Sequence, residues 1–325
     1  MSRRFIGFGA VLLAFSLALS ACSGTSSVKK EETAAQETSS AETKVVRDQF
    51  GEVTIPVQPR NLLVLDSIYA ECLIEMGVTP QIVSFVSEIE PEYREPYFKE
   101  HGVTMVAAEQ YQYNYEQLLQ LSPDMILLRG VGLEKDAYDD LTKIAPTVAL
   151  DSNNEIENAI PKLAEIFDKQ EEAAKVLDEY KAKAEQTREK IAAAIGDQTV
   201  MVLRVEHSRY RYMGAKSSDS SAFFYQTMGL NSPEAIKDST DWFNQFSLEI
   251  LPGIDPDFIF LEDRVLVGYD TTKSMKELKE SKVWSGLDAV KNDRVFPLKT
   301  SDFTVGVGPV GSVRLMDYIA EKLAP

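Results

Sequence analysis

Apolar residues in this chain fall into two alternating kinds of run. Short continuous blocks at Leu62–Leu65, Ile82–Val86, Val103–Ala107, Met125–Leu128 and Thr147–Leu150 have the length of strands buried on both faces. Between them lie segments with helical spacing, such as Ser67–Met76, closed by Gly77, and Glu134–Ile144. Ahead of them, Asp48–Pro56 reads as a hairpin turning at Gly51. Strand and helix alternating at this interval predict a mostly parallel sheet covered on both faces.

The pattern changes from Glu155 to Ala194, where Ala, Glu, Lys and Leu dominate. Leu163, Ile166, Phe167, Ala173, Val176, Leu177 and Tyr180 keep a helical period, which predicts one helix followed by a longer one. A pair of hairpin helices inside one lobe is the alternative. Strand-like runs then resume at Thr199–Glu206, Tyr210–Gly214, Asp257–Leu261 and Arg294–Pro297, with helices at Asp219–Met228 and Val310–Leu323. The expected fold class is α/β, with two Rossmann-like lobes, residues 45–157 and 197–325. Linking helices over 158–196 join them, and a ligand cleft lies between the lobes.

One motif occurs twice. Asn114-Tyr-Glu116, a short helical stretch and Pro123-Asp124 lead into Met125–Leu128; Ser247-Leu-Glu249, a second short stretch and Pro256-Asp257 lead into Phe258–Leu261. A single offset of 133 aligns both glutamates and both prolines. Each copy reads as a cap, a first-turn glutamate, a short helix, a turn and a buried strand. A glutamate in a first helical turn is favoured by the helix dipole in any case. Its recurrence in register marks one surface glutamate on each of two similar lobes.

The first residues indicate the compartment. Arg3 and Arg4 precede the apolar stretch Phe5–Ala21, which ends in Leu19-Ser20-Ala21-Cys22. Residues 1–21 therefore read as a lipoprotein signal peptide, with Cys22 as the lipidated residue of the mature chain. Residues 22–44, rich in Ser, Thr, Glu, Ala and Gln, read as a flexible tether. Beyond Cys22 only Cys72 remains, so no intramolecular disulfide forms, and its helical setting reads as a small buried hydrophobe. A formal charge of −17 disfavours nucleic acid as a partner and makes local arginine clusters conspicuous.

Taken together, Asp48–Pro56, the following Arg60–Leu65 run, the two Glu…Pro-Asp…strand units and the lipobox resemble the substrate-binding lipoproteins of bacterial ABC importers for iron–siderophores, haem and cobalamin. The resemblance runs from about Val45 to Ala324. It implies two lobes joined by a rigid helix, a ferric siderophore in the cleft, and no enzymatic activity. It further implies delivery to an ABC permease dimer with its ATPase, onto whose arginines Glu116 and Glu249 dock. The protein is expected to be a monomer, lipid-anchored on the outer face of the cell membrane, in a Gram-positive setting.

Residue chemistry narrows the cargo. Direct metal carriage needs several converging His, Cys or carboxylate ligands; this chain holds only two histidines, His101 and His207, and no cysteine pair. A ferric siderophore brings its own oxygen ligands, so the protein needs arginines and aromatic groups rather than a metal site or a cofactor. Arg129 and Arg204 follow or end apolar strands, and Arg264 follows the Phe258–Asp263 run. Ligands of open α/β sheets sit at the carboxyl ends of strands. The segment Leu203–Gly214 adds His207, Arg209, Arg211 and Tyr212, while Trp242 and Phe303 are aromatic candidates. If Arg209–Tyr212 is extended, the arginines point one way and the tyrosines the other. A salt bridge on an acidic protein is the competing role for each arginine, and a packed core the competing role for Trp242. The pattern resembles binders of hydroxamate or citrate siderophores; Tyr111, Tyr113 and His101 keep haem open as a rival cargo, and another iron chelate or cobalamin is the further alternative that the resemblance implies. A hydrolase on a similar scaffold is the rival class, yet no Gly-x-Ser-x-Gly elbow or phosphate-binding glycine loop appears.

Overall fold

The computed structural model describes residues 42–109, 112–152, 155–218, 220–264 and 270–325. The expected signal peptide, Cys22, nearly all of the expected tether, Tyr111 and the expected helix start at Asp219 lie outside the described residues. Twelve strands are found among the described residues. They are β1 Thr43–Asp48, β2 Gly51–Pro56, β3 Leu62–Val64, β4 Ile82–Phe85, β5 Thr104–Ala107, β6 Met125–Arg129, β7 Thr147–Leu150, β8 Val200–Glu206, β9 Arg209–Met213, β10 Phe243–Phe246, β11 Phe258–Asp263 and β12 Val295–Lys299.

β1 and β2 form the expected hairpin, beginning slightly ahead of Val45, so Thr43 and Lys44 belong to a strand rather than to the tether. The Asp48 carboxylate shapes the turn by accepting from the Phe50 and Gly51 amides, and it docks the hairpin by accepting from the Ala149 amide of β7 at 3.0 Å.

The first large sheet has the order β5-β4-β3-β6-β7 and is parallel throughout. Alternation splits its strands between two cores. Leu62, Val64, Met125 and Leu127 face one cluster, while Leu63, Ile126 and Leu128 face the other. Both faces are covered, which explains the unbroken apolar runs. The second sheet, β10-β9-β8-β11-β12, is parallel through β8, β11 and β12 but antiparallel at β9 and β10. The cause is local. Only His207 and Ser208 separate β8 from β9, with Ser208 at φ 60°, and so tight a connection joins antiparallel neighbours only.

β8 continues through Glu206, so Arg204 lies inside the strand rather than at its end. Along β9 the expected alternation is present. Arg209 and Arg211 both reach Glu206, whereas Tyr210 and Tyr212 pack with Phe246 on the opposite face.

Helices Ile156–Phe167 and Gln170–Ile195 link the sheets, and the chain breaks between them where Asp168 adopts φ 55°. The longer one packs against the closing helix Pro309–Leu323. One apolar cluster runs from Leu62 and Val64 of the first sheet, through Tyr180 and Ile191 of the linking helix, to Val202 and Phe260 of the second. A shared close-packed core of this kind resists large deformation of the joint. Cys72 is free and buried in that cluster.

The second motif copy is wound differently from the first. Helix Tyr115–Gln120 is capped by the Asn114 side chain, which accepts from the Gln117 amide. Its counterpart is a 3₁₀ turn, Leu248–Ile250, followed by the short helix Leu251–Ile254 with Pro252 near its start. Glu116 and Glu249 are both exposed.

Candidate functional site

A cavity of about 1350 Å³ opens between the two sheets. On the first side it is built from strand ends. Leu65, Asp66 and Ser67 follow β3, Ser84 to Val86 end or follow β4, Ala108 follows β5, and Leu128 and Arg129 end β6. These are the carboxyl ends of parallel strands, where an open α/β sheet leaves a crevice. On the second side stand Trp242, just before β10, Arg264, just after β11, and Thr300, just after β12. Tyr180, Ala184 and Arg188 of the linking helix form a third wall, and Val305, Val307 and Ser312 also line the space.

Three of the nine ligand candidates line this cavity: Arg129, Trp242 and Arg264. The Arg129 side chain is 41 % exposed, with its Nε 4.0 Å from the Asp66 carboxylate. Asp66 is itself committed, since it caps helix Ser67–Glu75 by accepting from the Ile68 and Tyr69 amides. The Trp242 indole N–H donates to Ser220 Oγ at 3.0 Å, which fixes the ring against the cavity wall. Arg264 is mostly covered and reaches Glu262 Oε1 at 3.4 Å.

Arg204 lies one layer deeper, 1 % exposed and absent from the lining. Its Nε donates to Glu262, a fully buried carboxylate directly across the register on β11. Its guanidinium carbon lies 3.5 Å from the Phe243 ring centre, 5.0 Å from that of Trp242 and 5.7 Å from that of Phe303. Burial pushes its pKa down to about 10, against the opposing pull of Glu262. Arg204 therefore backs Trp242 and, through the shared Glu262, Arg264. The anionic partner that a buried arginine requires is Glu262, a residue distant in sequence.

The remaining candidates also lie off the cavity. Arg211 donates to the Phe243 carbonyl and to Glu206, and Arg209 to Glu206. The Tyr212 hydroxyl accepts from Ser239 Oγ at 3.2 Å. His207 meets the Asp270 carbonyl at 3.0 Å on the exposed β8–β9 turn. Phe303, expected on a loop, sits in helix Thr300–Thr304 with 0 % exposure. Of the haem candidates, Tyr113 lines the cavity, whereas His101 lies exposed at the end of helix Arg94–Glu100 and bonds the Tyr97 carbonyl. Among the described residues no group of three or more His, Cys, Asp or Glu side chains is placed to hold a metal ion.

Sequence reasoning missed the linking-helix wall and the base of the cleft. Tyr180, Ala184 and Arg188 recur at helical spacing, and this periodicity gave no sign that they face a cavity. At the base, Glu71 is fully buried. Its Oε1 accepts from the Val310 and Gly311 amides at 2.7 and 3.0 Å, capping the closing helix from another part of the chain. Its Oε2 accepts from Tyr93 and from Arg94, which also reaches Glu90, Ser67 and the Val305 carbonyl. This network accounts for Gly308 in the Gly306-Val-Gly308-Pro309 run, and the tight turn beside it for Gly311. A Cβ on Gly308 would sit 2.4 Å from Glu71 Oε1, and one on Gly311 would sit 1.8 Å from the Gly306 carbonyl.

Known proteins share this architecture. A structure of Staphylococcus aureus SirA complexed with staphyloferrin B superposes with a TM-score of 0.72 at 25 % identity, over 86 % of this chain and 98 % of that one. An iron(3+)-hydroxamate-binding protein of Bacillus subtilis, FhuD, is 26 % identical over 99 % of each chain. A second such protein of that organism, YxeB, is 25 % identical over 98 % of this chain and 95 % of its own. Residues 62–301, which contain both sheets and the linking helices, match the family described as periplasmic binding protein, and the chain belongs to that family.

Proposed function

We propose that this protein is the substrate-binding component of an ABC importer that captures a ferric siderophore in the cleft between its sheets and passes it to a membrane permease. The observation that carries this reading is the cavity itself, which is large enough for a chelate and presents arginine, aromatic and hydroxyl groups among its carboxylates, without a metal-ligand cluster among the described residues. A preformed chelate needs such donors around its periphery and nothing at the iron. The names of the Bacillus subtilis relatives and the Staphylococcus aureus complex support the same cargo class. Arg129, Arg264 and Trp242 are the residues assigned to direct contact, with Arg204 behind Trp242 and Arg264.

In this reading the protein performs no chemistry on the ligand. Glu116 and Glu249, both exposed, dock on the permease. No helix among the described residues is long and apolar enough to cross a membrane, and the lipid on Cys22 is assigned the anchoring role. Trp242 lines the cleft and Trp284 is buried on the far face of the second sheet, so intrinsic fluorescence reports cleft occupancy. Saturable quenching by ferric siderophores, absent with a simple ferric salt, is the expected result. Absence of saturable binding, or turnover of the ligand, overturns the assignment.

A further inference from the structure

The charge balance of the cleft defines the cargo further. Its lining carries seven carboxylates against four cationic side chains, and one of the seven, Glu90, is paired with a cation set behind the lining, Arg94, on the first-sheet side. The internal stretches outside the description, 110–111, 153–154, 219 and 265–269, contain no lysine or arginine. Each lining arginine, moreover, already faces an acid. Arg129 lies 4.0 Å from Asp66, Arg188 3.3 Å from Glu185, and Arg264 3.4 Å from Glu262. Lys181 stands one helical turn from the same Glu185.

The balance is uneven from wall to wall. Behind the second-sheet wall, four arginines, Arg204, Arg209, Arg211 and Arg264, share two carboxylates, Glu206 and Glu262, so positive potential gathers there. Opposite, Glu109 and Glu134 add to Asp66 on the first-sheet wall, and Glu157 adds to the linking-helix side. A polyanion entering this space finds no surplus cation across most of its surface and is repelled by the carboxylates. A neutral complex avoids that cost, and one with a positive arm opposite its oxygen-rich centre matches both walls.

Resting on the siderophore reading above, we propose that the cleft selects ferric chelates of zero or single positive net charge. This is the charge of a ferric trihydroxamate, neutral or with a pendant ammonium group, whose hydroxamate oxygens would face Arg264 and whose amine would face the first-sheet acids. Trianionic tris-catecholates and polyanionic citrate complexes are excluded by the same charges.

The test is calorimetric titration of the full chain with four probes. These are the ferric complex of a linear trihydroxamate bearing a free amine, the same complex after N-acetylation, a ferric tris-catecholate, and ferric citrate. Both trihydroxamates should bind. The amine-bearing one should bind at least as tightly as its acetylated form and weaken as salt is raised. The two anionic complexes should bind on the order of a hundredfold more weakly. Replacing both Glu109→Gln and Glu134→Gln should narrow that gap by roughly tenfold. Equal or tighter binding of either anionic complex, or a ratio unmoved by the paired substitution, overturns the proposal while leaving the siderophore reading intact. Failure of all four probes to bind overturns the siderophore reading and this proposal with it.

Discussion

Arg204 and Glu262 face each other as register partners on β8 and β11 and form an ion pair that is 1 % and 0 % exposed. Burial of both members makes removal of one costly, because the other is left as an uncompensated charge. Arg204→Met should therefore lower unfolding free energy by about 3 kcal/mol in urea denaturation. Because the guanidinium packs against Trp242, the fluorescence maximum should shift in the same variant even without ligand. Unchanged stability and an unchanged spectrum would show that the pair carries no structural load.

The cleft base predicts a contrast between two glycines. Gly308→Ala brings a methyl group against Glu71 Oε1, displacing the carboxylate that caps the closing helix. Thermal unfolding should register a loss of about 1–3 kcal/mol. Gly253→Ala, with nothing within 4 Å of the new methyl, should be neutral or mildly stabilising. Equal behaviour of the two variants would discard the steric argument.

Glu90 gives a pH signature. Burial raises its pKa above the ordinary carboxylate value, although Arg94 and Ser67 pull it down. The folded protein thus holds the Glu90 proton to higher pH than the unfolded chain. Stability from this group is fully present below the unfolded pKa and declines as pH rises through the folded one. Glu90→Gln removes that slope, so its melting temperature relative to the parent should climb as pH increases from the ordinary carboxylate range. A difference that stays independent of pH above the ordinary carboxylate range would refute this.

Docking is separable from binding. Glu116 and Glu249 are exposed and lie outside the cavity lining. Glu116→Ala with Glu249→Ala should leave ferric-siderophore affinity within about twofold and melting temperature nearly unchanged, since exposed helix-end charges contribute little. Cellular iron uptake through the importer should be abolished. Uptake at the parental rate would remove these glutamates from the docking role.

The outcome at individual residues shows how far local pattern reaches. The rule that ligands gather at strand ends located Arg129 and Arg264 on the cavity wall, and it applies equally to Asp66, which follows β3 and lines the cavity without having been singled out. It misjudged Arg204, because the strand runs on to Glu206 and its buried partner is supplied by β11. Phe303 read as a loop residue because polar neighbours hid a short helix whose one apolar side chain is driven inward.

The sequence by itself determined the two α/β halves, the helical link, the repeated glutamate units and the direction in which each β9 side chain points. All of these follow from periodicity along a single segment, where backbone geometry decides. Tertiary structure alone decided that Arg204 pairs with Glu262, that Glu71 caps a helix more than two hundred residues away, and that seven carboxylates meet four cations in one cleft. A local window holds no information about which distant charge will share a desolvated space. That pairing is set by strand register and lobe packing, and the cost of burying an unpaired charge enforces it.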